Sequence, residues 1–339
     1  MKRVLIATDA AHPQINGVVR TLEATRATLG RFGVEVDMAT PAEHTSLPMP
    51  FYPEIRLALV GQADMARRIE RFRPDAIHIA TEGPIGHAAR AHCLARGLPF
   101  TTAYHTRFPE YLAARAPVPE EWSYAWLRRF HGAARRTLVA TASMEAELAG
   151  RGFRNLARWA RGVDTTLFSP ERAEKLPWPR PIFLSVGRVA VEKNLEAFLS
   201  LDLPGTKLVV GDGPDRAMLA SRFPDAVFVG AKTGAELSAL YAGADVFVFP
   251  SRTDTFGNVM LEALASGTPV AAYPVPGPID VLRRDVGVTD ADLLRACFMA
   301  LRLDRNACRR HALSWTWDAC TRRFLDHLAP IAGEPRRAA

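Results

Sequence analysis

Residues 244–267 read ADVFVFPSRTDTFGNVMLEALASG. The opening ADVFVFPS is a short apolar run halted by Pro250, the pattern of a buried strand. Gly257-Asn258 then begins a helical pattern, which Gly267 and Pro269 terminate. Asp254 falls on the loop between them, and Glu262 faces inward about one and a half turns into the helix. Strand, loop and helix make half of a crossover unit, and the alternation repeats outward from here. TPVAAY follows as another strand, and PIFLSVG, TKLVVG and AVFVG precede it, each leading into a loop or helix. Earlier come KRVLIAT, VEVDMAT, PDAIHIAT and PFTTAYHT, interleaved with helical VVRTLEATRATLGRFG and GPIGHAARAHCLARG. Such alternation implies parallel sheets with right-handed crossovers. The proline-rich and charged GVDTTLFSPERAEKLPWPRP separates the two series and reads as a linker. The expectation is an α/β chain of two doubly wound parallel-sheet domains facing across a cleft, with ligands at the carboxyl ends of the strands.

Composition narrows the classes. The chain has 339 residues, 48% of them hydrophobic, enough for two cored domains and too much for a disordered chain. No run approaches the roughly 20 apolar residues that cross a bilayer. The opening MKRVLIATDAAHP has a basic tip, but Asp9 breaks its apolar stretch, so a strand is expected there and not a signal peptide. Cys93, Cys297, Cys308 and Cys320 form no CxxC pair, which fits a reducing, cytoplasmic compartment. The net charge is +7. Residues 1–170 hold 22 Lys and Arg against 16 Asp and Glu, and the remainder hold 21 against 20. The first half therefore carries the basic excess, which would draw an anionic partner towards it.

The chemistry of the opening stretch follows from its helix start. Amides around Phe256, Gly257 and Asn258 suit an anion, and Gly257 permits close backbone approach. Acids such as Asp254 and Glu262 would repel a phosphate they touched. Their sensible use is to accept hydrogen bonds from hydroxyls flanking it. Sugars on either side of a diphosphate present such hydroxyls. Upstream, Arg188 and Lys193 lie five residues apart where PIFLSVG enters a helix near Asn194, and their charge suits a departing diphosphate. Neither loop is a GxxxxGK[ST] phosphate loop. Asp290-Ala291-Asp292 directly precedes LLRACFMALR and reads as a helix cap, not a metal site. Asp212 in VGDGP reads as a turn former.

With Asp254 and Glu262 in a D-x7-E spacing, the sequence resembles the retaining glycosyltransferases of family 4, whose hallmark is E-x7-E. Further matches are NGVVRT at Asn16–Thr21, AYHT at Ala103–Thr106, GVD…F.P at Gly162–Pro170, SVGRVAVEKN at Ser185–Asn194, VVGDGP at Val209–Pro214 and the late SWTWDACTRRFL. The resemblance implies a GT-B fold of two Rossmann-like domains. They are expected over 1–165 for the acceptor and 166–315 for the nucleotide-sugar donor, with 316–339 a helix crossing back to the first. By the same resemblance Arg188 and Lys193 bind the donor diphosphate, Glu262 takes the nucleotide ribose and Asp254 holds a hydroxyl of the donor sugar. The Phe256–Asn258 amides contact sugar and phosphate. Gly17, beside Asn16 in the first loop, closes over the donor, and His105 lies next to the transferred sugar. Asp254 is one methylene shorter than the commoner Glu. The family further implies a retaining, metal-independent hexosyl transfer with no cofactor beyond the nucleoside-diphosphate sugar, a UDP-sugar being favoured and GDP-mannose the other candidate.

The acceptor is read from elsewhere. Glu82 in IATEGPIG ends another strand and could touch acceptor or sugar. Between Arg107 and Arg136, Trp122, Trp126, Leu127 and Phe130 are expected on one helical face beside Arg128 and Arg129. That face suits either core packing or a membrane interface. The NGVVRT, IATEGP and YPVPGPIDV phrases resemble the subgroup making glycolipids on diacylglycerol, and mannosyltransferases are similar too. The expected partner is a lipid acceptor at the anionic inner face of a membrane. Alternatives are a soluble or polysaccharide acceptor, or a sugar-nucleotide epimerase. The sequence pI near 9.5 would suit nucleic acid, but no recognition motif is present and the acids beside the phosphate site oppose one.

Overall fold

The structure is a computed structural model describing residues 1–12, 14, 16–49, 52–113 and 118–331. The chain folds as two compact units, one of residues 1–160 with 318–339 and one of Arg161–Trp317.

The first unit is built on six strands, all parallel, in the spatial order Glu35–Ala39, Arg3–Ala7, Ala76–Ile79, Thr101–Tyr104, Arg136–Val139 and Leu156–Arg158. A two-stranded antiparallel hairpin, Ser46–Met49 with Tyr52–Ala58, is inserted outside this sheet. Leu5, Ile77 and Ile79 pack with Ile85, Ala89 and Phe130 from the covering helices. Continuous apolar strands are what a sheet covered on both faces requires. The helix Trp317–His327 docks here from Asp318 onward. The Phe324 ring lies tilted against Trp159 with centroids 4.8 Å apart, and Arg31 pairs with Asp318 at 2.5 Å.

The second unit has six parallel strands in the order Val227–Phe228, Thr206–Val210, Ile182–Val186, Val246–Phe249, Val270–Ala272 and Gly287–Thr289. Counted along the unit, these are its third, second, first, fourth, fifth and sixth strands, the doubly wound order that reverses direction beside the first. The reversal falls between Ile182–Val186 and Val246–Phe249. Chains leaving two such strands diverge to opposite faces of the sheet and open a crevice at the carboxyl ends. The loops holding Arg188 and Lys193 and holding Asp254 are the two that flank it.

Glycines let these loops crowd together. Gly211 has φ +144°, and a Cβ there would stand 1.8 Å from the Gly187 carbonyl oxygen. The Arg188 loop is thereby laid against the Gly211–Pro214 loop, with Val189 N–H donating to the Asp212 carbonyl at 2.9 Å. All four cysteines are free and buried, and burial pushes Cys93, Cys297 and Cys308 up to about 12, far from a reactive thiolate.

Candidate functional site

In the second unit, the loop after Ile182–Val186 ends in a single tight turn, Val191–Lys193. Asn194 adopts the left-handed conformation (φ 52°), which asparagine tolerates better than most residues, and the chain then turns into the helix Leu195–Leu199. Its side-chain amide donates to the Pro250 carbonyl at 3.0 Å, and Ser251 Oγ donates to the Glu192 carbonyl at 3.1 Å. These bonds stitch the two crevice loops together. Their consequence is that Lys193 Nζ reaches both oxygens of Asp254, at 2.8 and 2.7 Å. The two side chains are 26% and 18% exposed, so the pair is shielded from most solvent yet open enough to exchange partners. Arg188 lies half-buried on the same loop as Lys193.

The acid-bearing loop is held from two further sides. Phe256 is buried, its ring edge-on to Trp315 at 5.7 Å. Gly277 (φ +94°) lets its backbone lie so close that a Cβ would stand 3.1 Å from the Phe256 carbonyl oxygen. Gly257 (φ +83°) turns the chain into the helix Asn258–Ala265. Its N-cap, Gly257, has no side chain to offer, and its first turn holds no acidic residue. A helix start led by glycine and without an acid of its own is compatible with a bound anion.

Glu262 is 7% exposed and lies among fully buried Leu261, Ala263 and Leu264. A buried carboxylate needs donors, and the Tyr241 hydroxyl supplies one to Glu262 Oε2 at 3.0 Å. Sequence reading missed Tyr241. Its signal was a phenol between Leu240 and Ala242 in the apolar second half of its helix, since a buried Tyr hydroxyl needs a partner. Of the lesser expectations, Asp292 accepts from Arg295 N–H as a helix cap, and Asp212 accepts from Gly213 N–H while pairing with Arg216.

The first unit places its predicted residues more variously. Asn16 caps the Gly17–Arg31 helix, accepting from Val18 and Val19 N–H at 3.0 Å, so Gly17 is the first residue of a helix. Glu82 meets His131 Nε2 at 3.0 Å, and the fully buried His131 also bonds Thr102 Oγ1 through Nδ1. His105 is buried beside Trp159, ring centroids 5.8 Å apart. Asp9, which the sequence marked only as an interruption, is buried at the carboxyl end of its strand. Its carboxylate accepts from Thr81 Oγ1, Ile85 N–H and Gly86 N–H at 2.8, 2.9 and 3.4 Å. Burial raises its pKa despite these three donors.

The helix Glu120–His131 corrects one expectation. Trp122, Trp126, Leu127 and Phe130 are unequally buried along their face: Leu127 and Phe130 are buried with Ser123 and Tyr124, Trp126 is 40% exposed with its ring 6.1 Å from Phe130, and Trp122 is 72% exposed. At 100° per residue the exposed edge of that face runs through Trp122 and Trp126 to exposed Arg129. Arg128 instead turns to the Arg151 carbonyl at 3.0 Å. Beside the stripe stand His87, 5.4 Å from the Trp126 ring, and Arg90, 5.6 Å from the Phe130 ring centre. Among the described residues no helix is long and apolar enough to cross a membrane.

Two doubly wound units, one of them with cations at its switch point, are the architecture of a GT-B glycosyltransferase that uses a nucleotide sugar. Residues 15–167 match the profile described as glycosyltransferase family 4, and residues 180–296 that of glycosyl transferases group 1. A GDP-mannose-dependent alpha-mannosyltransferase of Mycobacterium tuberculosis is 34% identical, covering 98% of this chain and 97% of its own. Sulfoquinovosyl transferase SQD2 of Arabidopsis thaliana is 34% identical over 71% of this chain and 50% of its own. Among solved structures, sucrose-phosphate synthase from Thermosynechococcus elongatus superposes with a TM-score of 0.78 at 19% identity, covering 96% of this chain and 98% of that one. The chain belongs to glycosyltransferase family 4.

Proposed function

We propose that this glycosyltransferase moves a hexosyl unit from a nucleoside-diphosphate sugar to a lipid hydroxyl at an anionic membrane surface, with retention and without a metal. The observation that carries the donor assignment is the Lys193–Asp254 pair beside the glycine-led start of the Asn258–Ala265 helix. The donor diphosphate seats on that helix start and takes over Lys193, with Arg188 adding charge. Asp254, released, accepts from a hydroxyl of the sugar, and Glu262 accepts from the ribose. The roles implied for Gly17 and His105 belong to the same proposal.

The reaction then needs positioning more than a protein nucleophile. The acceptor oxygen bonds the anomeric carbon on the face the phosphate leaves. The carbon–oxygen bond to phosphate breaks with its electron pair on the phosphate, and the acceptor proton passes to that oxygen. Lys193 and the helix amides stabilise the charge that collects there. GDP-mannose is supported by the names of relatives that span nearly the whole chain, and UDP-hexoses by the glycolipid-like motifs. A thermal-shift comparison of GDP, UDP and their sugars tests both, because a ligand of the native state raises its melting point. A flat response to all of them removes the donor site. Incubation with donor alone separates an epimerase, which would return an isomerised donor.

The ion pair carries a prediction of its own. Asp254 competes with the diphosphate for Lys193, and such a pair is worth about 1 kcal/mol. Asp254→Asn is therefore expected to bind the bare nucleoside diphosphate about fivefold more tightly while transferring sugar more slowly. Calorimetry and turnover read the two arms, and equal affinity would deny the competition.

For the acceptor, the support is the Trp122–Trp126–Arg129 stripe on the basic half of the chain. Exposed Trp beside Arg suits the headgroup boundary of an anionic bilayer. Replacing Trp122 and Trp126 by Ser and Arg129 by Glu is expected to weaken co-sedimentation with phosphatidylglycerol vesicles about tenfold. Hydrolysis of the donor should be unchanged. Undiminished vesicle binding would favour a soluble or polysaccharide acceptor.

A further inference from the structure

Glu262 is a solitary carboxylate in an apolar helix, and the structure surrounds its partner with unusual care. Tyr241 is fully buried in the helix Gly234–Gly243, whose neighbouring side chains are Leu237, Ala239, Leu240 and Ala242. Its ring is held edge-on by Phe168 at 5.7 Å and against Phe247 at 5.6 Å. Its carbonyl accepts from Thr268 Oγ1 at 2.6 Å, tying the end of the Tyr241 helix to the turn that follows the Glu262 helix. The hydroxyl is thus a fixed point, and it lies 3.0 Å from Glu262 Oε2.

Resting on the proposed ribose role of Glu262, we propose that Tyr241 is a positioning residue which orients the Glu262 carboxylate for the nucleotide ribose and so sets the preference for a ribose diol. The chemistry supports this division of labour. An ionised carboxylate has about four lone-pair sites, so it can accept from Tyr241 and from a sugar hydroxyl at the same time. A phenol donating to a carboxylate also strengthens the ionised form and fixes the plane of its oxygens. Without that donor, the Glu262 side chain has several rotamers in which its oxygens miss a cis-diol. A phenylalanine at 241 keeps the ring contacts with Phe168 and Phe247, so the hydroxyl is tested nearly alone.

The experiment compares wild type, Tyr241→Phe and Glu262→Gln for binding of GDP or UDP, whichever the wild type takes, against its 2′,3′-dideoxy form. Wild type is expected to prefer the ribonucleotide by about a hundredfold, two hydrogen bonds to a charged group. Tyr241→Phe is expected to raise the donor KM about tenfold at nearly constant kcat and to shrink the preference by the same factor. In the double variant the Tyr241→Phe change should add little to Glu262→Gln, because one acts through the other. A Tyr241→Phe protein that keeps the full preference overturns the inference. So does one that loses both nucleotides equally along with its melting point, since that is a structural role only. If Glu262→Gln itself keeps the preference while the nucleotide still binds, the ribose role of Glu262 falls and takes this inference with it. If Glu262→Gln loses it and Tyr241→Phe does not, only the inference about Tyr241 falls.

Discussion

Lys193→Ala is expected to slow sugar transfer about a hundredfold and to leave the melting point nearly unchanged. The lysine is one of two partners in a part-exposed ion pair, 2.7 Å from Asp254, and pairs of that exposure contribute at most about 1 kcal/mol to folding. Its contribution to the reaction is larger. As the bond to the anomeric carbon stretches, negative charge concentrates on the departing phosphate, and a cation fixed beside it lowers the barrier. Removing one such contact costs on the order of 3 kcal/mol, hence about two powers of ten in rate. Because that charge develops in the transition state, the loss should fall on kcat more than on the donor KM. Steady-state kinetics on purified protein reads the split directly. Near-normal turnover would mean that the pair at the switch point is a structural brace, and the donor assignment would go with it.

How far the molecule could be read beforehand depends on whether the relevant physics is local. The central strands announce themselves because a sheet covered on both faces demands unbroken apolar runs, as VLIA in Arg3–Ala7 and VFVF in Val246–Phe249. Arg136–Val139, Leu156–Arg158 and Gly287–Thr289 escaped that reading. They are three or four residues long, and two of them include an arginine. Their pairing is decided by the neighbouring strand rather than by their own composition. The hairpin from Ser46 to Ala58 escaped for another reason, since its prolines read as turn signals. In the site, a loop followed by a helix start is local, so Asp254, Gly257 and Glu262 were legible as a constellation. Partners contributed from a distance were not. Lys193 meets Asp254 across 61 residues, Tyr241 meets Glu262 across 21, and Glu82 meets His131 across 49. Asp9 shows the limit most plainly, because its donors on Ile85 and Gly86 are backbone amides that no side-chain pattern announces. The tryptophan stripe shows a different limit. Helical spacing groups Trp122 with Leu127 loosely enough that only packing decides which of them the core takes.

Glu262→Ala should match Lys193→Ala in its loss of catalytic efficiency yet distribute that loss differently. The ribose lies away from the bond being broken, so its hydrogen bonds are present in ground state and transition state alike. Their removal therefore weakens the donor KM and leaves kcat largely alone. Two hydrogen bonds to a carboxylate, at about 1.5 kcal/mol each, amount to about a hundredfold in kcat/KM. Alanine also does something to the fold that Lys193→Ala does not. It removes the acceptor that the buried Tyr241 hydroxyl holds at 3.0 Å. Losing a buried hydrogen bond to a charged group costs about 1.5–3 kcal/mol, so the melting point should drop as well. Glu262→Gln separates the two effects. Its amide oxygen can still accept from Tyr241 and its volume is the same, so the fold should recover while the charge stays absent. Recovery of the melting point without recovery of the donor KM would locate the requirement in the charge. If glutamine restored both, the carboxylate would be serving the core and not the nucleotide.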